Sequence, residues 1–199
     1  MKTLISTILI ILTISCKAQI LTFSIDDWHE SKPNVYYKDL NNEFDDFEGT
    51  WLYSNGNTYL KIILRKETMY FNGNYFKDLI VGEYQYIENG VEIINTLSNI
   101  NNPVAFEHKI SGQNLYYDCL YIPISDCVDG ETILDVSMID ANVDNFIADL
   151  ILVKRSINGQ EALRGYYSFS YIGGVSQDST IPEPTITPTQ DEIILIKQD

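Results

Sequence analysis

Apolar and polar residues alternate with a period of two along most of this chain. Leu60, Ile62 and Leu64 alternate with Lys61 and Arg65; Gly82, Tyr84 and Tyr86 alternate with Glu83 and Gln85. Leu134, Val136 and Met138 alternate with Asp135 and Ser137, and Ala148, Leu150 and Leu152 flank Asp149. Period-two patterning puts one face of a strand in a core and the other in water, which marks antiparallel sheet. It predicts strands near residues 50–54, 58–66, 68–72, 79–87, 91–97, 104–110, 114–121, 132–139, 146–155, 162–171 and 192–197.

The turn residues agree. Asn-Gly occurs at Asn55-Gly56, Asn72-Gly73, Asn89-Gly90 and Asn158-Gly159, with Ser111-Gly112 and Asp129-Gly130 as two further expected turns. Asn-Gly tolerates the positive φ angles of tight hairpins. Strands joined this way pair with their neighbours, so the chain should meander. A meander this long must curl or split to protect its edges. The expected fold is all-β: an antiparallel meander closing into a barrel, with a two-sheet sandwich as the alternative.

One segment departs from strand patterning. Asp39 is placed to cap a short helix bearing Leu40, Phe44 and Phe47 on one face. It leads directly into Gly49-Thr50-Trp51. A short helix followed by Gly-x-Trp at the first strand resembles the opening of lipocalin-like (calycin) barrels. The resemblance implies that the helix plugs one end and that the Trp packs beneath it against a basic residue from the last strand. Lys197, closing Ile193-Ile194-Leu195-Ile196, is the matching residue here. Tyr36 to Phe44, Phe47 to Trp51, Gly56 to Leu64 and Gly82 to Val91 also resemble a family of uncharacterised exported bacterial proteins known only as a domain of unknown function. That likeness implies an exported β protein and carries no functional residues with it.

The amino terminus sets the compartment. Lys2, an apolar run from Leu4 to Leu12 and small residues behind it form a bacterial export signal over residues 1–18. The run is too short to span a membrane. Two cleavage readings stand side by side. Cys16 becomes a lipidated first residue, anchoring the protein at an outer membrane or cell surface; or cleavage after Ala18 releases a secreted or periplasmic protein starting at Gln19. Residues 19–35 read as an extended arm and 36–199 as a single barrel domain.

Charge narrows the partners. There are 28 acidic and 13 basic residues; losing Lys2 and Lys17 with the signal leaves 11 basic ones, a net charge of −17. Such a surface excludes nucleic acid, whose phosphates require a basic face, and leaves a lipid on Cys16 as the membrane contact. With Cys16 consumed, Cys119 and Cys127 read as a disulfide in an oxidising compartment, closing a loop through Pro123 and Asp126.

Candidate chemistry is sparse. His29 lies in Asp26-Asp27-Trp28-His29-Glu30, where imidazole and carboxylates suit a metal but also a solvated arm. His108 alternates with Glu107 and Lys109 on what reads as the outer face of a strand. Asp126, Asp129 and Glu131 offer carboxylates to calcium, though acidic turns are usually solvated. Asp140-x-Asn142-x-Asp144 begins like a calcium loop, then carries Asn145 and Ile151 where Gly and Glu are required. Ile181 to Pro188 is a proline-stiffened strap, and Asp178-Ser179-Thr180 resembles a short glycosylation signal. No nucleophile elbow, phosphate loop or dinucleotide fingerprint occurs, so no catalytic residue, metal or cofactor is assigned and the chain is read as a non-enzyme. Tyr84, Tyr86, Tyr116, Tyr117, Tyr166, Tyr167, Phe169 and Tyr171 fall in or beside strands. Inward-facing aromatics fill the barrel or line a cavity; outward-facing tyrosines suit recognition of sugar or protein. The expectation is a binding module for a small apolar or amphipathic ligand; the alternatives are a surface interaction protein with a solid barrel, then a hydrolase.

Overall fold

The computed structural model describes residues 19–30, 32–172, 183–186 and 192–199, and of residues 28–30 the backbone alone. Its strands are β1 (Thr22–Ser24), β2 (Tyr36–Lys38), β3 (Gly49–Asn55), β4 (Thr58–Phe71), β5 (Phe76–Glu88), β6 (Val91–Asn95), β7 (Ile110–Tyr116), β8 (Ile133–Ile139), β9 (Phe146–Ile157), β10 (Gln160–Tyr171) and β11 (Glu192–Gln198). Eight of them, β3, β4, β5, β7, β8, β9, β10 and β11, pair antiparallel in that order around a closed barrel. Closure comes from β11 returning to β3, with Ile196 opposite Leu52 and Lys197 opposite Trp51. The barrel fits the lipocalin-like expectation, and no sandwich forms.

Local chemistry explains the meander. Asn89-Gly90 and Asn158-Gly159 make two-residue hairpins with φ of 51° and 79°, and of 52° and 81°. Both central residues are left-handed, the geometry that matches strand twist.

Four expectations need correction. The strands expected at 58–66 and 68–72 are one strand, β4, whose register slips between Glu67 and Tyr70. Met69 takes φ 56° there, and its N–H donates to Asp78, so a buried carboxylate holds the irregularity. No strand covers 104–110: the connector holds 3-10 turns at Leu97–Asn101 and Ala105–Glu107, and the next strand runs from Ile110 to Tyr116. Alternation there reflects a flap lying on the barrel, not a strand within it. Ser111-Gly112 lies inside β7 and is no turn. The expected helix is a single 3-10 turn, Glu43–Asp46. Asp39 still accepts from Glu43 N and Phe44 N, and Phe44 and Phe47 are fully buried, but Leu40 is 56% exposed. One turn is too short to bring all three to one face.

The barrel axis is filled. Trp51, Leu60, Ile62, Ile80, Tyr84, Leu134, Leu150, Leu152 and Leu195 belong to one core cluster and are each no more than 1% exposed. The Tyr84 hydroxyl donates to the Ile139 carbonyl and accepts from Ala141 N–H, so even the polar tip is satisfied by the wall. Burial raises its pKa and keeps that hydroxyl protonated. Phe44 and Phe47 pack where β3 begins. Ile186 packs at the opposite end, where Asp140 accepts from Asn142, Val143 and Thr185 N–H groups.

Two flaps cover parts of the outer wall. Residues 96–109 lie over β5, burying Leu79 and Val81 beneath Ala105. The disulfide loop lies over β8 to β10, burying Ile133 and Val153 beneath Ile124. Between the flaps, among the described residues, only the N-terminal segment approaches the wall.

A candidate site at a fork in the barrel wall

The region between the flaps arises from how β5 shares its outer edge. Phe76 and Lys77 neighbour β2, Ile80 to Gly82 pair with β7, and Gln85 to Glu88 pair with β6. Past Gly112, β7 no longer pairs with β5. Its register with β8 gives the reason: Ser111 faces Ser137 and Asn114 faces Asp135, so Gly112 and Gln113 together oppose Val136. Such a bulge bends a strand and re-aims a side chain. Gly112 must be small, because a Cβ would stand 2.8 Å from the Val136 Cα. Gln113 is thereby directed into the fork. It is only 7% exposed, and its Oε1 has no hydrogen-bond partner among the described residues.

Two clefts meet at Gln113 and Asn114. The first, about 290 Å³, is completed by Tyr75, Lys77, Gly112, Asp135, Ser137 and Asp149. The second, about 230 Å³, runs beneath the N-terminal segment and is completed by Ile25, Asp26, Leu115, Tyr116 and Tyr117. The first lies on the outer face of β8 and β9, whereas the second also reaches Ile25 and Leu115, which pack with the main core.

Electrostatics give the fork a character. Burial, and then the charge of Asp149, push the Asp135 carboxyl above the usual carboxylate range, against the opposing hydrogen bond from Asn114. Burial pushes Lys77 below the ordinary lysine range. Burial, and then the charges of Asp135 and Asp149, raise the Tyr116 hydroxyl above the ordinary tyrosine range. Tyr117 directs its hydroxyl to Glu43 at 2.8 Å and Asp26 at 3.2 Å, which fixes its ring. The fork thus combines hydrogen-bond acceptors, two half-exposed tyrosine rings and one lysine. A further groove of about 530 Å³ beside the 96–109 flap is more apolar, lined by Phe71, Leu79, Ala105 and Phe106 among others.

The residues singled out in the sequence fall elsewhere. Lys197 Nζ stands 5.4 Å from the Trp51 ring centroid and pairs with Glu161; Trp51 Nε1 donates to Phe47 O. Gly49, with φ 140°, leaves room for the Lys197 stem, whose Cε would lie 3.2 Å from a Cβ. These contacts lie where β3 begins and β11 ends. Cys119 and Cys127 are disulfide-bonded. Asp126 and Glu131 grip Arg155, and Asp129 accepts from Cys119 N, so the acidic turn is spent on its own loop. Asp140 is likewise committed to backbone N–H groups. His29 lies in the 3-10 turn Ile25–Glu30. Cys16, the export signal and Asp178-Ser179-Thr180 lie outside the described residues, and of the strap only residues 183–186 are described.

His108 requires correction. It does not sit on an exposed strand face but is 1% exposed beneath the flap, with Nδ1 2.9 Å from Glu83 Oε1 and Nε2 3.0 Å from the Asn102 carbonyl. The hydrophobic alternation of β5 assigns Glu83 to the outer face, and only the flap's return over that face buries it. The sequence reading missed Gln113, Asn114, Asp135 and Asp149 as a group. Gly112-Gln113 inside a β-run is the one signal that points there, because an interior glycine often marks a bulge.

No curated protein and no solved structure matches the chain. A family model spans residues 1–198, and the chain belongs to the family of unknown function DUF6705.

Proposed function

We propose that this chain is an exported recognition protein in which the barrel is a solid scaffold and ligand is taken on the outer wall, at the fork between β5 and β7. The carrying observation is the filled interior: the side chains along the axis pack into one core, and the cleft beside Asp135 and Asp149 and the groove beside the 96–109 flap lie outside it. A carrier of an apolar ligand needs a concave apolar chamber, and these residues spend that volume on packing. A hydrolase needs a nucleophile or base within reach of a cleft. His108 is walled in, and among the described residues the two clefts present carboxylates and tyrosines but no histidine. The export signal and Cys16 support a lipid-tethered protein presenting this wall to the envelope or its surroundings.

The test is a ¹⁵N chemical-shift titration of the mature protein with soluble extracts of the host envelope. Shifts confined to Gln113, Asn114, Asp135 and Asp149 support the reading. Shifts concentrated on interior residues such as Tyr84, Leu150 and Tyr167 would make the protein a carrier and overturn it.

A further inference from the structure

We infer that the fork binds a saccharide without negative charge, through its hydroxyl donors; this inference rests on the outer-wall reading above. The argument starts from Gln113. A buried amide oxygen without a partner costs about 1–3 kcal/mol, and native proteins rarely leave one. Gln113 is one of the two residues that line both clefts, with its Oε1 just below their surface. A partner arriving from outside, able to donate a hydrogen bond, satisfies it.

The surrounding groups define that partner. Asp135 and Asp149 are acceptors crowded enough that burial and mutual repulsion lift Asp135. Asn114 and Ser137 add groups that both donate and accept. A phosphate, sulfate or carboxylate would meet two carboxylates against the single Lys77 amine and be repelled. An apolar molecule would strand them without water, at a cost of several kcal/mol. A sugar ring offers several hydroxyl donors at short spacing and a C–H face. Tyr116 and Tyr117 supply half-exposed rings for that face, at 43% and 37% exposure, and the Tyr117 ring is held in place by Glu43 and Asp26. Two clefts that share Gln113 and Asn114 fit two adjoining sugar units better than one compact ion.

The experiment uses the mature protein on an array of neutral, amino and uronic oligosaccharides, followed by calorimetry with the strongest binder. Neutral or amino sugars are expected to bind and uronic ones not. Gln113→Leu should weaken that binding about tenfold, the worth of one hydrogen bond, while leaving the melting temperature unchanged or higher. A structural glutamine would show the opposite pattern. Asp149→Asn is the second variant, expected to weaken binding without unfolding the protein. Absence of glycan binding across the array, or binding that Gln113→Leu leaves intact, overturns the inference. So does a thermal shift with calcium alone that Asp135→Asn and Asp149→Asn abolish, which would make the fork a cation site while the outer-wall reading stands. Interior chemical shifts would defeat both.

Discussion

His108→Leu removes one partner from a pair the barrel buries completely. Glu83 and His108 have fully buried side chains. The Asn102 carbonyl only accepts, so the His108 Nε2 facing it carries a proton. Glu83 Oε1 faces Nδ1 and also accepts from Asn99 Nδ2 at 2.8 Å, while Oε2 has no partner among the described residues. One proton beyond the Nε2–H is therefore shared between imidazole and carboxyl. Leucine at 108 leaves Glu83 with Asn99 alone, and stripping one member of a buried pair costs about 3–5 kcal/mol. For a domain of this size that lowers the melting temperature by about 10 °C. Glu83→Leu combined with His108→Leu replaces both polar groups beside Leu79, Val81 and Ala105 and should recover more than half of the loss. Urea unfolding of wild type, both single variants and the double variant, followed by far-UV circular dichroism, closes the cycle. A coupling of at least about 2 kcal/mol is expected. Additive single effects within about 0.5 kcal/mol would refute the reasoning, because the flap would then be held by its apolar contacts and not by this pair.

Other variants probe the fork, the flaps and the wall. Asp135 has its pKa raised, first by burial and then by Asp149, so the folded state holds its proton more tightly than the unfolded chain does. Stability from this group is fullest below about pH 4 and falls as pH rises through the folded value; Asp135→Asn should raise the melting temperature at pH 7 and bring no gain at pH 3. Asp126 behaves oppositely: the Arg155 hydrogen bond holds it below the usual range. Burial raises Glu131, but Arg155 and the Val128 N–H outweigh it. Their contribution is present above about pH 4.5 and lost on acidification, so Arg155→Ala should destabilise by about 1–2 kcal/mol at pH 7 and by much less at pH 3 in thermal melts. Replacing Cys119 and Cys127 together by Ala frees an eight-residue separation and should cost about 2.5 kcal/mol in urea unfolding. Gly82→Ala puts a Cβ 2.6 Å from the Ile63 carbonyl oxygen and 2.8 Å from Leu64 Cδ2; overpacking of that kind costs about 1–3 kcal/mol, and an unchanged unfolding midpoint would show that the wall gives way freely.

The barrel was legible because its information is periodic. Alternation in β4, β5, β8 and β9 and the Asn-Gly pairs at 89–90 and 158–159 are local signals that survive into pairing. What stayed hidden depends on chain segments far apart in sequence. Glu83 and His108 each read as solvated positions on an alternating pattern, and only the flap's return makes them neighbours. Ser111-Gly112 reads as a turn because glycine serves two ends, positive φ and close approach; here Val136 demands the second. The fork requires β2, β6 and β7 to divide one edge of β5, which no local pattern encodes. The N-terminal segment at 19–35, read as an arm, supplies β1, which pairs parallel with β2, Thr22 to Ser24 against Tyr36 to Lys38, because its few apolar residues find partners only once the barrel exists.

Native mass spectrometry of the mature protein from its own host, against a denatured control, tests the solid scaffold most directly. The account predicts that no fatty acid, isoprenoid or other apolar mass is released on unfolding. An apolar molecule retained by the native protein and lost only when the barrel opens would contradict it.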